Sequence, residues 1–219
     1  MQANLLTLLR ILFVFVVIGL YQVNFYTQVM ALCLTAITLY LDALDGLLAR
    51  KLGIATKWGA LFDITGDRIV ENVLWVYFAA TGMLSFWAAA LVIARSFLVD
   101  WLRTIAFSRG DKTPFGEKSM MKSRWARALV NSRFSRGLYG TSKAIVFVYL
   151  GALMALESGR TKWGWSMATS TVGWLDDIGQ IIGWVTVAMC MVRGIPVVWD
   201  SRDLLNDEMF PGLLRESRG

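Results

Sequence analysis

The stretch that decides the reading is Asp42-Ala43-Leu44-Asp45-Gly46-Leu47-Leu48-Ala49-Arg50, followed eight residues later by Gly59-Ala60-Leu61-Phe62-Asp63-Ile64-Thr65-Gly66-Asp67. It places four aspartates inside two otherwise apolar runs. Asp42 and Asp45 are three apart, and Asp63 and Asp67 are four apart, so each pair shares one face if its run is helical. The polar link between the runs is short, which predicts antiparallel neighbours with their acidic faces at a similar depth. Four carboxylates gathered in a low dielectric repel one another, and without a counter-charge some would take up protons. A pair of divalent cations removes the conflict. All-oxygen ligation suits magnesium, manganese or calcium, and a chain with no histidine weakens any case for zinc or iron. The missing histidine also excludes Ser-His and Cys-His nucleophile pairs. Gly46, Ala49 and Gly59 lie on or beside the acid faces and would let something bulky approach the backbone. The alternative for such small residues is close helix packing. For buried aspartates the alternative is a proton relay or an ion pathway.

Working outward, the chain of 219 residues is 56% hydrophobic and only 17% charged. Its mean hydropathy is +0.53, more apolar side chain than the interior of a soluble domain of this size could take in. Six runs have about the length needed to cross a hydrocarbon core of about 30 Å. They are Leu5–Tyr21, Thr27–Ala49, Gly59–Ala80, Phe86–Phe107, Leu138–Leu156 and Trp174–Val192. The expected fold is therefore an all-α integral membrane protein of six transmembrane helices, occupying residues 1–200, with a short tail over 201–219. The first run lacks a basic leader and a small-residue cleavage site, and reads as a retained span. The links Tyr21–Tyr26 and Thr81–Ser85 carry no charge, whereas Arg50, Lys51 and Lys57 crowd the second link and a basic cluster fills 110–136. By the positive-inside rule both termini are expected in the cytoplasm. The net charge of +6 then belongs to one membrane face, and nucleic acid is not an expected partner. The segment 110–136 spaces Met121, Trp125 and Leu129 four apart among basic residues, as in a helix lying on an anionic surface. Cys33 and Cys190 sit in apolar runs and read as packing residues.

Asp42, Asp45, Gly46, Ala49, Arg50, Gly59, Asp63 and Asp67 reproduce the spacing D-x2-D-G-x2-A-R-x8-G-x3-D-x3-D. That pattern resembles the signature of the CDP-alcohol phosphotransferases, and the six-span layout is similar to theirs. The resemblance implies a homodimeric membrane enzyme that moves a phosphatidyl group from CDP-diacylglycerol to a polar alcohol and releases CMP. It implies two divalent ions, Mg²⁺ or Mn²⁺, held by Asp42, Asp45, Asp63 and Asp67, with Asp67 also the general base toward the acceptor hydroxyl. Asp42, Gly46, Ala49, Arg50 and Gly59 would line the CDP site.

Three further stretches bear on the acceptor. Asn4-Leu5-Leu6-Thr7-Leu8-Leu9-Arg10 resembles the N-L-L-T-x-x-R opening of phosphatidylglycerophosphate synthases. Ile93-Ala94-Arg95 with Leu102-Arg103 is similar to their I-A-R…L-R run, and Gly140-Thr141-Ser142-Lys143 partly resembles their G-K-x-K-T. Arg95 and Arg103 are eight apart, two turns on one face. Cations inside membrane spans are costly unless they pair or bind anions, so Arg95, Arg103 and Lys143 are the candidates for holding a phosphate on the acceptor. Pairing with Asp100, Glu71 or lipid phosphates is the alternative. The expected acceptor is sn-glycerol 3-phosphate, with inositol phosphate or another polar alcohol as the competing reading. An ion-coupled transporter and a membrane scaffold are the competitors from other classes. The expected location is a bacterial plasma membrane with the site on its cytoplasmic side.

Overall fold

The computed structural model describes residues 2–52, 57–108, 132–165 and 167–201, and contains helices but no strand among them. The six helices are α1 (Gln2–Tyr21), α2 (Phe25–Leu52), α3 (Lys57–Ala80), α4 (Phe86–Ser108), α5 (Arg133–Trp163) and α6 (Thr169–Asp200). Each encloses one of the six apolar runs and extends past it. Of the basic segment 110–136, residues 110–131 lie outside the described residues, and its end forms the first turn of α5. The mixed-charge tail 202–219 also lies outside them. Two helical stretches, Phe134–Trp163 and Ser170–Asp200, are long and apolar enough to cross a membrane by length and composition. Shorter apolar stretches cover Thr7–Tyr21 and Phe25–Tyr40.

The chain divides into two compact units, one of Met1–Ala90 with Ser142–Trp184, the other of Leu91–Thr141 with Val185–Gly219. In the first, α1 packs on α3 and α2. Local chemistry sets the short links. Asn24 caps α2, its Oδ1 accepting from the Thr27 amide at 3.1 Å while Thr27 Oγ1 accepts from the Asn24 amide at 3.0 Å. The α3–α4 turn needs Gly82, whose φ of 78° few side chains tolerate. Gln180 of α6 braces that turn, accepting from the Ser85 amide and donating to the Met83 carbonyl.

Buried residues on α1 are Thr7, Arg10, Val14, Val17 and Tyr21, while Leu5, Leu8, Leu12, Phe15 and Val16 are exposed. This helix turns its polar side chains inward and its large apolar ones outward, the reverse of a water-facing helix. Trp75, Phe78 and Phe147 form the aromatic centre of the unit, with Trp75 and Phe147 ring centroids 5.5 Å apart at 73°. Gly151 admits the Tyr21 ring, whose hydroxyl occupies the place a Cβ there would need. In the second unit Val92, Val99, Leu102, Cys190 and Val197 are buried. The packing role expected of both cysteines therefore holds for Cys190, whereas Cys33 is exposed on α2. Pro196 lies inside α6 and removes one of its backbone hydrogen bonds.

Candidate active site

Helix α3 carries Asp63, Asp67 and Glu71 at successive intervals of four, so the three carboxylates rise along one face. Its neighbour α1 supplies what meets them. Arg10 Nη2 donates to Asp63 Oδ1 at 2.7 Å and to Asp67 Oδ1 at 3.0 Å, and Thr7 Oγ1 donates to Asp63 Oδ1 at 3.4 Å. Thr7 and Arg10 are one turn apart on the buried stripe of α1, which is why both reach the same acid face. The Arg10 side chain is 9% exposed, against 48% for Asp63 and 40% for Asp67. The guanidinium is thus fixed while the carboxylates keep an open side. Two anionic oxygens converging on one cationic nitrogen form a hard donor set, the chemistry that a magnesium or manganese ion accepts.

Close approach of α1 to α3 depends on Gly66, because the Thr7 methyl lies where a Cβ at that position would be. Thr7 is buried and β-branched, so it cannot swing aside. Gly66→Ala is expected to destabilise the protein by about 1–3 kcal/mol through overpacking. Thr7→Ser, which drops the methyl and keeps the hydroxyl, should recover most of that loss in the double variant. Thermal unfolding in detergent of the two single variants and the double variant measures it, and additive losses would show that the two sites do not touch.

One turn beyond Asp67, Glu71 is 6% exposed and its Oε2 accepts from Lys143 Nζ of α5 at 2.7 Å and from Arg68 Nη1 at 3.2 Å. The structure thus brings the expected acceptor cation Lys143 to a carboxylate of α3. Asp42, Asp45, Gly46, Ala49 and Arg50 lie along the last turns of α2 and Gly59 near the start of α3. The side chains of these residues, and that of Arg103 on α4, lie outside the described residues. Among the described residues no group of three metal-ligating side chains gathers.

In the second unit Arg95 of α4 lies against Gly194 of α6, where an added Cβ would meet Arg95 Nε and Cγ at 2.7 and 2.8 Å. Arg95 Nε is buried and has no hydrogen-bond partner among the described residues. Beside Gly194, the buried Arg193 donates from Nη1 to Ser135 Oγ at 2.7 Å, and its guanidinium lies 5.7 Å from the Tyr139 ring centroid. Arg193 also feels the positive charges of Arg95 and Arg136.

Sequence reasoning missed Arg10 and Arg193 as site residues and named Glu71 only as an alternative partner for the basic side chains. Arg10 closes the motif quoted for the chain's opening and shares a face with Thr7. Glu71 continues the four-residue interval of Asp63 and Asp67. Arg193 is a lone cation directly after the apolar run of α6, and only its spatial neighbours mark it.

A match to the CDP-alcohol phosphatidyltransferase family covers residues 1–192. A probable phosphatidylglycerophosphate synthase of Mycobacterium tuberculosis is 33% identical over 112 residues, 49% of this chain and 54% of that protein. An archaetidylinositol phosphate synthase of Pyrococcus horikoshii is 30% identical over 46% of this chain and 54% of its own. A CDP-diacylglycerol–glycerol-3-phosphate 3-phosphatidyltransferase of Rickettsia typhi is 23% identical over 87% of this chain and 91% of its own. The chain thus spans about half the length of the mycobacterial and archaeal relatives and most of the rickettsial one. With the complete aspartate pattern, and a family match that runs from the first residue to the last turns of α6, this chain belongs to the CDP-alcohol phosphatidyltransferase family.

Proposed function

We propose that this protein transfers the phosphatidyl group of CDP-diacylglycerol to sn-glycerol 3-phosphate and releases CMP. The observation that carries the reading is the convergence of Asp63 and Asp67, the last two acids of the family pattern, within 3.0 Å of one cationic nitrogen. Asp42, Asp45, Asp63 and Asp67 would hold two Mg²⁺ or Mn²⁺ ions. Such ions supply neutralisation of the pyrophosphate and of the departing CMP. Asp67 accepts the proton of the acceptor hydroxyl as its oxygen attacks the phosphorus bearing the diacylglycerol, and the bond from that phosphorus to CMP breaks in line. Gly46, Ala49, Arg50 and Gly59 shape the cytidine site. The outward apolar face of α1 and the composition of the whole chain favour six membrane crossings, and the basic residues of the second link and of 110–136 favour the cytoplasmic side of a bacterial plasma membrane for the termini and the site. In that setting the donor's acyl chains stay in the bilayer while its head group reaches the acids. The family resemblance favours a homodimer.

A phosphorylated acceptor is favoured by the arginines of the second unit. Within that unit the buried, unsatisfied Nε of Arg95 and the neighbouring Arg193 are suited to a phosphate, with Arg103 a further candidate there; Lys143 of the first unit is a separate candidate. Inositol phosphate is the second reading, favoured by the archaeal relative.

The reading is tested by CMP release from purified protein given CDP-diacylglycerol, Mg²⁺ and each acceptor in turn. Glycerol 3-phosphate is expected to give the highest kcat/KM. No CMP with any acceptor, together with cation flux in liposomes, would replace the transferase with an ion-coupled transporter. Arg95→Ala is expected to raise the acceptor KM about 10- to 100-fold, the loss of one charged hydrogen bond, with the donor KM nearly unchanged. Equal effects on both KM values would assign Arg95 to packing.

A further inference from the structure

Arg10 lies 53 and 57 residues from the two acids it joins, and folding buries it to 8% exposure against them. Asp63 and Asp67 stand one turn apart and repel, and a fixed guanidinium between them keeps their Oδ1 atoms turned to a common point. Asp63 and Asp67 are also two of the four residues that would hold the dications of the transferase reading. An Arg10 nitrogen at 2.7 and 3.0 Å from one oxygen of each carboxylate places a positive charge beside both and takes up a lone pair of each. Cation and guanidinium, both positive, therefore compete for the charge of these two carboxylates.

We propose that Arg10 is a built-in competitor for the metal. It holds the two carboxylates in place in the metal-free chain, weakens cation binding there, and yields them when the donor's pyrophosphate brings further anionic oxygens to the site. The displaced guanidinium then has the pyrophosphate as its counter-charge. Metal loading becomes coupled to donor binding, and by linkage each tightens the other by the same factor. The proposal rests on the transferase reading of the acid site.

The test is Mn²⁺ binding to the full-length protein in detergent, read from the EPR signal of free Mn²⁺, with and without CDP as a soluble probe. Wild type is expected to bind Mn²⁺ weakly alone and about tenfold or more tightly with CDP, the scale of one charge-assisted hydrogen bond. Arg10→Gln is expected to bind Mn²⁺ alone about tenfold more tightly than wild type and to lose most of the CDP effect. If Arg10→Gln does not fold by its circular dichroism melt, Arg10→Lys takes its place. A compact ammonium grips two oxygens less well than the guanidinium fork, so Mn²⁺ should bind it severalfold more tightly than wild type. Folded variants that bind Mn²⁺ no better than wild type overturn the competitor role. Wild type that binds no Mn²⁺ even with CDP overturns the metal site itself, and the proposal with it.

Discussion

Asp67→Asn is expected to cut turnover by at least about 10²–10⁴-fold, the scale of a lost general base, while CDP binding persists. The fold should tolerate the change. The amide is isosteric, and Arg10 keeps its shorter contact to Asp63 at 2.7 Å. What would be lost, on the proposed reading, is the anionic charge that accepts the acceptor's proton and helps to hold the metal. CMP release with saturating donor and acceptor, paired with equilibrium binding of CDP, separates the two effects. Turnover at the wild-type level would remove Asp67 from the base role. Turnover and CDP binding lost together would make it a binding residue first.

The largest loss of stability is expected from Glu71→Ala. Its carboxylate is 6% exposed and meets both Lys143 and Arg68, whose side chains are 21% and 20% exposed. Removing it leaves two cations of α3 and α5 facing each other where one anion had joined them. Breaking a buried pair costs about 3–5 kcal/mol, and because the cations are partly solvated the lower end applies. That corresponds to a fall in Tm on the order of 5–10 °C for a chain of this length. Glu71→Gln, which keeps the shape and one hydrogen-bond acceptor, should lose less. Adding Lys143→Met to Glu71→Ala should recover part of the loss, since one of the two facing cations is then gone and their repulsion with it. A Glu71→Ala melt indistinguishable from wild type would show that the pair is a solvent-screened contact. The same variants bear on the proposed acceptor role of Lys143, because its ammonium rests on Glu71 at 2.7 Å. A raised acceptor KM in Glu71→Gln without a change in donor KM would mark Glu71 as a positioning residue.

The helices were legible because their cause is local. Apolar runs of membrane length, interrupted by uncharged or basic links, place all six, and the acid spacing puts Asp63 and Asp67 on one face of α3, where the structure has them. The partners of those acids were not legible, because nothing local joins Arg10 to residues 53 and 57 positions away. Read alone, Arg10 is one charge near the start of an apolar run. Lys143 shows the opposite difficulty. A cation in an apolar segment asks for an anion, and the sequence offers both a substrate phosphate and Glu71. The ion pair at 2.7 Å supplies one answer within the protein itself. Arg193 escaped notice because its significance comes from Arg95 and Ser135, which reach it from two other helices. Helix ends also ran past the apolar boundaries, most clearly in α5, where Arg133–Leu138 and Leu156–Trp163 continue the helix with polar residues. Hydropathy marks where hydrocarbon can lie, and backbone hydrogen bonding carries on beyond it.

The bond between Arg10 and its two acids also has a meaning for biogenesis. In the proposed membrane arrangement, the ribosome delivers the arginine long before Asp63 exists. At about 5–20 residues per second the 53-residue gap is a wait of roughly 3–10 s. During that interval an unneutralised guanidinium makes the first segment a poor candidate for independent insertion, at a cost of up to about 2.5–3.5 kcal/mol if it sits deep. Stable residence of that segment in the lipid then awaits synthesis of α3, and the amino-terminal third of the polypeptide matures as one cohort.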